Sequence, residues 1–312
     1  MASHLVKLCT IAPLVAIAAL PAAAHAETRV MRSTSPWKMD YGANSCQLQR
    51  GFGTPEDPML LQIQQFAPGN RIFVTVAGKA FDGIHDDFNV ELSTGPETRD
   101  PISTIFTLGD MKTADGKALT TLIFAGTTLN GFTRKGVAPA PVTSEREQAI
   151  TSFIVSWGDE AVQIGTGPLA KSMEAMRTCT DALVKSWGLD PEQQASLSQP
   201  AKSLTPPSSW FTSGNYPMDL AASGRQALVE VRMMIDAAGA LTDCKVIQGY
   251  NEPRFEKATC DQIVKRAHFK PALDRAGSPT ASYYVTRVRW MVDRKPRVIR
   301  RGNRQDGRAN HW

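Results

Sequence analysis

The pattern that most constrains this chain lies in its last third, where strand alternation, turn signals and a helical stripe follow in an order few folds accept. Ala227 to Asp236 has the period of two of a strand, with Val231, Met233 and Ile235 on one side. On the other side Arg232 and Asp236 bracket Met234. A tight turn at Ala237-Ala238-Gly239 leads to a second strand, Leu241 to Gly249, and so short a connection makes the pair antiparallel. Residues 254–268 then set Phe255, Thr259, Ile263 and Ala267 on one side of a helix. The helix exits through Ala267-His268-Phe269-Lys270-Pro271-Ala272, and a last strand alternates from Tyr283 to Trp290. A short helix, Pro217 to Ala222, follows the opening Asn215-Tyr216-Pro217.

The Tyr-Pro opening, the Asp236-x-x-Gly239 turn, the Phe-Lys-Pro-Ala exit and the final Val288-x-Trp290 agree in order and spacing with one family. Over these 75 residues the chain resembles the C-terminal domain of TonB, the periplasmic energy transducer of Gram-negative bacteria. The resemblance implies a three-stranded antiparallel sheet with helices on one face and the last strand at an edge. In that family the domain pairs an edge strand with an extended segment of an outer-membrane transporter, backbone hydrogen bonds supplying affinity and alternate side chains selectivity. Carried over, the partner-binding residues are Tyr283, Val285, Arg287 and Arg289 on the last strand, with Asn215, Tyr216 and Pro217 close by. TonB has Gln-Tyr-Pro at that opening, and the Asn here bears on partner choice.

The N-terminus reads as a secretory signal, residues 1–26. Lys7 supplies the charge, Leu8 to Leu20 the apolar stretch and Ala24-His25-Ala26 a small-x-small cleavage site, with cleavage expected after Ala26. The alternative is a retained inner-membrane anchor, although the run to Ala24 is marginal in length and holds Pro13 and Pro21. Cys9 lies too near the start for a lipoprotein site. A periplasmic location follows from cleavage.

Cleavage leaves Cys46, Cys179, Cys244 and Cys260, an even number in an oxidising compartment. Three pairings are possible on paper. A helix folding back on its preceding strand favours Cys244–Cys260, which leaves Cys46–Cys179 to tie the first strands to a late helix. Four free thiols are the other outcome.

The remaining chain divides by composition. Residues 36–189 form a β-rich unit with sandwich or barrel character, ending in one helix. Its expected strands are Met59 to Phe66 and Arg71 to Ala77 about Pro68-Gly69-Asn70, then Phe88 to Leu92, Ile102 to Leu108, Leu119 to Ala125 and Ile150 to Trp157. The helix, Leu169 to Trp187, carries an apolar stripe of Leu169, Met173, Met176, Leu183 and Trp187 and stops at Gly188 and Asp190-Pro191. Residues 190–214, rich in Gln, Ser and Pro, read as a linker interrupted by Trp210 and Phe211, which are expected to dock on the second domain. The C-terminal domain covers 215–292. The tail is 293–312; beyond Asp293 it holds seven basic residues against Asp306, a net +6 in a chain of net +5. It reads as a disordered tail or a contact for anionic lipid; export argues against nucleic acid.

Chemistry is sparse. Three histidines remain after cleavage: His85, His268 and His311. Only His85 has ligand-like neighbours, in Asp82-Gly83-Ile84-His85-Asp86-Asp87, and one crowded loop is a polar turn before it is a metal site. No Gly-x-Ser-x-Gly or His-Glu-x-x-His motif occurs, and Gly165-Thr166-Gly167-Pro168 lacks the Lys of a phosphate loop. Glu145 and Glu147 are expected to be solvated. The expectation is a protein without catalytic, metal or cofactor residues. A small-molecule binder built on the N-terminal sheet is a third class, for which no specific residues stand out.

Two departures from TonB weigh on function. The N-terminal segment reads as cleavable, and a globular β-rich domain stands where TonB has a long Pro-rich spanner. The sequence therefore points to a periplasmic binding protein for TonB-dependent outer-membrane receptors or another periplasmic protein. The rival is an anchored energy transducer.

Overall fold

The computed structural model of the protein describes residues 27–96, 101–113, 116–131, 140–249 and 252–292. The expected signal and basic tail lie outside them. The N-terminal strands are β1 (Glu27–Met31), β2 (Lys38–Tyr41), β3 (Cys46–Gly53), β4 (Pro58–Gln65), β5 (Ile72–Gly78), β6 (Val90–Gly95), β7 (Thr107–Lys112) and β8 (Ala118–Thr127). Helix α1 (Ser144–Ala149), β9 (Ser152–Trp157), β10 (Glu160–Gly165) and helix α2 (Ala170–Ser186) follow. One sheet has the order β2-β3-β4-β5-β8-β7 and is antiparallel throughout. The other runs β1-β10-β9-β6, with β1 parallel to β10.

Alternation decides which face is dry. Leu48, Leu61, Ile63, Val74 and Val76 point inward from the six-stranded sheet. They join Phe153, Val155, Val162 and Ile164 of the other sheet and Met173, Met176 and Leu183 of α2 in one core. Each such side chain contributes about 1.5–3 kcal/mol when fully buried. A disulfide between Cys46 of β3 and Cys179 of α2, with Cα atoms 5.9 Å apart, pins the helix to the sheet.

Several local expectations change. β1 lies before residue 36, where the domain was expected to start, and completes the four-stranded sheet by pairing with β10. The strand expected at 102–108 begins at Thr107, because Ile102 and Ser103 instead bond back to Leu92. Glu147 is not solvated: it is 2% exposed and receives both Arg177 guanidinium nitrogens, at 2.8 and 3.2 Å.

The stretch expected as a linker is folded against the second domain. Gly188 does end α2 at φ +80°, but Asp190-Pro191 starts a new helix, α3 (Pro191–Ala195). Asp190 caps it by accepting from the Glu192 amide, and proline suits the first helical position. β11 (Lys202–Ser203) then pairs with β14 (Phe269–Lys270). Trp210 is fully buried in the second core, beside half-buried Leu197 and Phe211. These apolar anchors outweigh the Pro- and Ser-rich composition around them.

The C-terminal unit comprises α4 (Met218–Ala222), β12 (Ala227–Ile235), β13 (Leu241–Gly249), α5 (Pro253–Arg266), the short strands β15 (Ala272–Leu273) and β16 (Pro279–Thr280), and β17 (Ser282–Trp290). Its sheet has the order β13-β12-β17 and is antiparallel. Asp236 shapes the hairpin turn by accepting from the Ala238 and Ala240 amides. Phe255, Thr259 and Ile263 of α5 are buried on one face of the sheet, and the Trp290 indole donates to Thr259 at 2.9 Å. A disulfide joins Cys244 of β13 to Cys260 of α5. Both disulfides follow the pairing read from the sequence.

The other face of this sheet is covered as well. Ile247 and Val285 pack with Phe66, Phe73 and Ala125, which lie on the outer side of the six-stranded sheet. The two sheets thus meet face to face. Among the described residues no helix is long and apolar enough to cross a membrane.

Candidate binding strand and the surfaces around it

β17 pairs with β12 at all nine positions, from Ser282 opposite Ile235 to Trp290 opposite Ala227. It is the last strand of its sheet, and among the described residues no backbone hydrogen bond reaches it from the other side. A strand so placed keeps a row of unpaired backbone donors and acceptors. The stretch 199–207 runs near its first half and, with Tyr284, encloses a groove of about 520 Å³.

The pleat sorts the side chains of β17. Tyr284, Val288 and Trp290 turn toward α5 and enter the second core. Tyr283, Val285 and Arg287 turn toward the N-terminal domain. The Tyr283 ring lies 5.0 Å from that of Trp187, just past α2. Burial, with the Asp181 carboxylate as a smaller cause, pushes the Tyr283 hydroxyl up to about 12. Arg232 of β12 stacks over the same Trp187 at 4.6 Å.

Arg287 is the centre of the contact. Its Nε donates to Glu230 at 2.5 Å and its Nη1 to the Ala125 carbonyl at 3.0 Å, while its guanidinium lies 4.8 Å from the centre of the Phe73 ring. Arg71, from the N-terminal domain, donates to both oxygens of Glu230, at 2.9 and 3.2 Å. Glu230 is 2% exposed, so one buried carboxylate holds two guanidiniums, one from each domain. Room for them exists because residue 126 is glycine. A Cβ there would stand 2.3 Å from Arg287 Nη2 and 2.9 Å from Arg71 Nε, and its φ of +70° disfavours any side chain.

Asn215, Tyr216 and Pro217 lie elsewhere. Asn215 accepts from the Thr212 amide at 2.7 Å and from Arg266 at 3.1 Å. The Tyr216 hydroxyl donates to the Arg225 carbonyl, and its ring meets Phe255 and Trp290 edge-on at 5.4 and 5.5 Å. Pro217 precedes α4. This segment therefore stands by the end of β17 on the α5 side, whereas Tyr283, Val285 and Arg287 occupy the opposite face. Arg289 is exposed.

The sequence reading missed Glu230, Arg71, Phe73 and Gly126. One signal was present: β12 places Glu230 and Arg232 mid-strand, on the face that β13 and β17 line with Ile247 and Val285. His85 is exposed and tilts against Phe88, and among the described residues no group of three or more His, Cys, Asp or Glu side chains is arranged to hold a metal.

Residues 213–292 match the family described as Gram-negative bacterial TonB protein C-terminal. No curated protein matches the chain.

Proposed function

With a TonB C-terminal domain at residues 213–292 as the premise, we propose that this protein is a periplasmic binding protein whose β17 accepts an extended segment of a TonB-dependent outer-membrane receptor as an added strand. The observation that carries the reading is the outer side of β17, nine residues long, paired with β12 on its inner side and, among the described residues, unpaired on the other. The backbone supplies affinity. Selectivity falls to the residues bordering the edge, since Tyr283, Val285 and Arg287 are engaged with the N-terminal domain. No catalytic chemistry enters this reading.

Hydrogen exchange tests it. Alternate amides of β17 face away from β12 and should exchange readily in the free protein. A synthetic peptide from the periplasmic end of a receptor should slow those amides within 282–290. Slowing confined to β13, or none at saturating peptide, would reject strand addition at β17.

The anchored-transducer reading rests on the apolar stretch Leu8 to Ala24. Mass spectrometry of fractionated cells separates the two: a soluble form starting at Glu27 supports the binding protein, and an intact N-terminus in the membrane fraction supports the transducer.

A further inference from the structure

Beside the face-to-face contact, the two sheets diverge and leave a cleft of about 890 Å³. This volume lies within the range of small-molecule sites. One wall is the outer face of the six-stranded sheet, from which Gln47, Gln62, Gln64, Thr75 and Thr121 present side chains. Cross-strand register puts them side by side: Gln47 faces Gln64, and Gln62 faces Thr75. The opposite wall includes Leu228, Gln248 and Arg289 of the C-terminal sheet.

We propose that this cleft binds an uncharged oligosaccharide. The backbone groups of the four central strands of the wall are engaged in their ladders, so on that face recognition falls to side chains, while residues 105–111, at the edge strand β7, also line the cleft. Those side chains are carboxamides and hydroxyls. A carboxamide sets a donor beside an acceptor, which matches the hydroxyls of a sugar, each both donor and acceptor. The amides are oriented in advance. Gln49 donates to Gln47 at 3.0 Å and to Gln62 at 3.4 Å, and Gln64 donates to Ser45 at 2.9 Å. Gln64 is 3% exposed, and neither its Oε1 nor that of Gln248 has a partner among the described residues. Both oxygens are shielded from water as they stand, so a ligand rich in donors would reach them by turning the carboxamides toward the cleft.

Charge and shape narrow the class further. Asp86, Asp110 and Arg289 are the ionisable residues that line the cleft, a net of −1, which disfavours phosphate, nucleic acid and anionic lipid. Phe106 and Met291 add apolar surface for the C–H faces of sugar rings. An extended peptide would take the free edge of β7, which also lines the cleft, so a blocked peptide is the rival ligand that the test includes.

The test uses the full chain without its first 26 residues, titrated calorimetrically with maltotriose, cellotriose and triacetylchitotriose. An uncharged blocked trialanine and inorganic phosphate serve as comparison ligands. At least one trisaccharide should bind with a dissociation constant in the millimolar range or tighter. Gln62→Leu, which keeps the side-chain bulk and removes the amide, should weaken it about fivefold, a typical effect of one hydrogen bond. Lys265→Ala, on α5, should leave binding unchanged, and equal melting temperatures establish that both variants are folded. Binding by none of the three sugars, sugar binding indifferent to Gln62→Leu, or trialanine or phosphate bound more tightly than every sugar would each overturn the proposal.

Discussion

Glu230 sits between Arg71 and Arg287 with almost no solvent contact, so one carboxylate is the counter-charge of two guanidiniums. Replacing it with Gln would leave two guanidiniums facing one another without a counter-charge. Breaking a buried ion pair from one side costs about 3–5 kcal/mol. Arg71 is 38% exposed, so water screens part of the charge left behind, and Glu230→Gln should lower stability by about 2–3 kcal/mol in urea denaturation; a loss below about 1 kcal/mol would contradict this. Tyr283 gives a second residue-level prediction. Its hydroxyl is raised to about 12, so the folded protein holds this proton more tightly than the unfolded chain does. The resulting stability is complete below about pH 10, the ordinary tyrosine value, and is lost as pH rises from there toward 12. Tyr283→Phe should flatten the decline in stability over that window. An ultraviolet titration of the parent in which every tyrosine ionises near pH 10 would contradict this.

At the scale of elements, the two disulfides close loops of very different length, with sequence separations of 133 and 16 residues. In the chain-entropy model the long loop is worth about 4–5 kcal/mol and the short one about 3. The double variant Cys46→Ser/Cys179→Ser should consequently melt lower than Cys244→Ser/Cys260→Ser. The reverse order would mean that local packing, not chain entropy, governs these links. How far each element was legible tracks how local its cause is. β12, β13, α5 and β17 show their period and turns within the segment itself, and they sit within a residue or two of expectation. β1 was invisible because its parallel partner, β10, lies over a hundred residues away. The 190–214 stretch was misread because composition weighs every residue alike, whereas Trp210 alone buries a large indole in the second core.

Across the whole molecule, the three-stranded sheet has α5 on one face and the N-terminal domain on the other, which among the described residues leaves the outer side of β17 without a backbone partner and a cleft beside the contact. The site was legible only as a strand. Periodicity placed Tyr283, Val285 and Arg287 on one side of it, but a partner supplied by Arg71, Phe73 and Gly126 follows from tertiary contacts that no single segment encodes. Apolar packing and a shared buried charge couple the two domains, so calorimetry of the parent should give one unfolding transition. Two well-separated transitions would show independent domains. The same coupling has a mechanical meaning. Tension on a peptide lying along β17 would act parallel to the strand and shear its nine-residue ladder with β12, stretching many hydrogen bonds at once. Arg287 and Glu230 would pass part of that force to Arg71 and the sandwich behind it, so the whole chain would resist the pull as one stiff body.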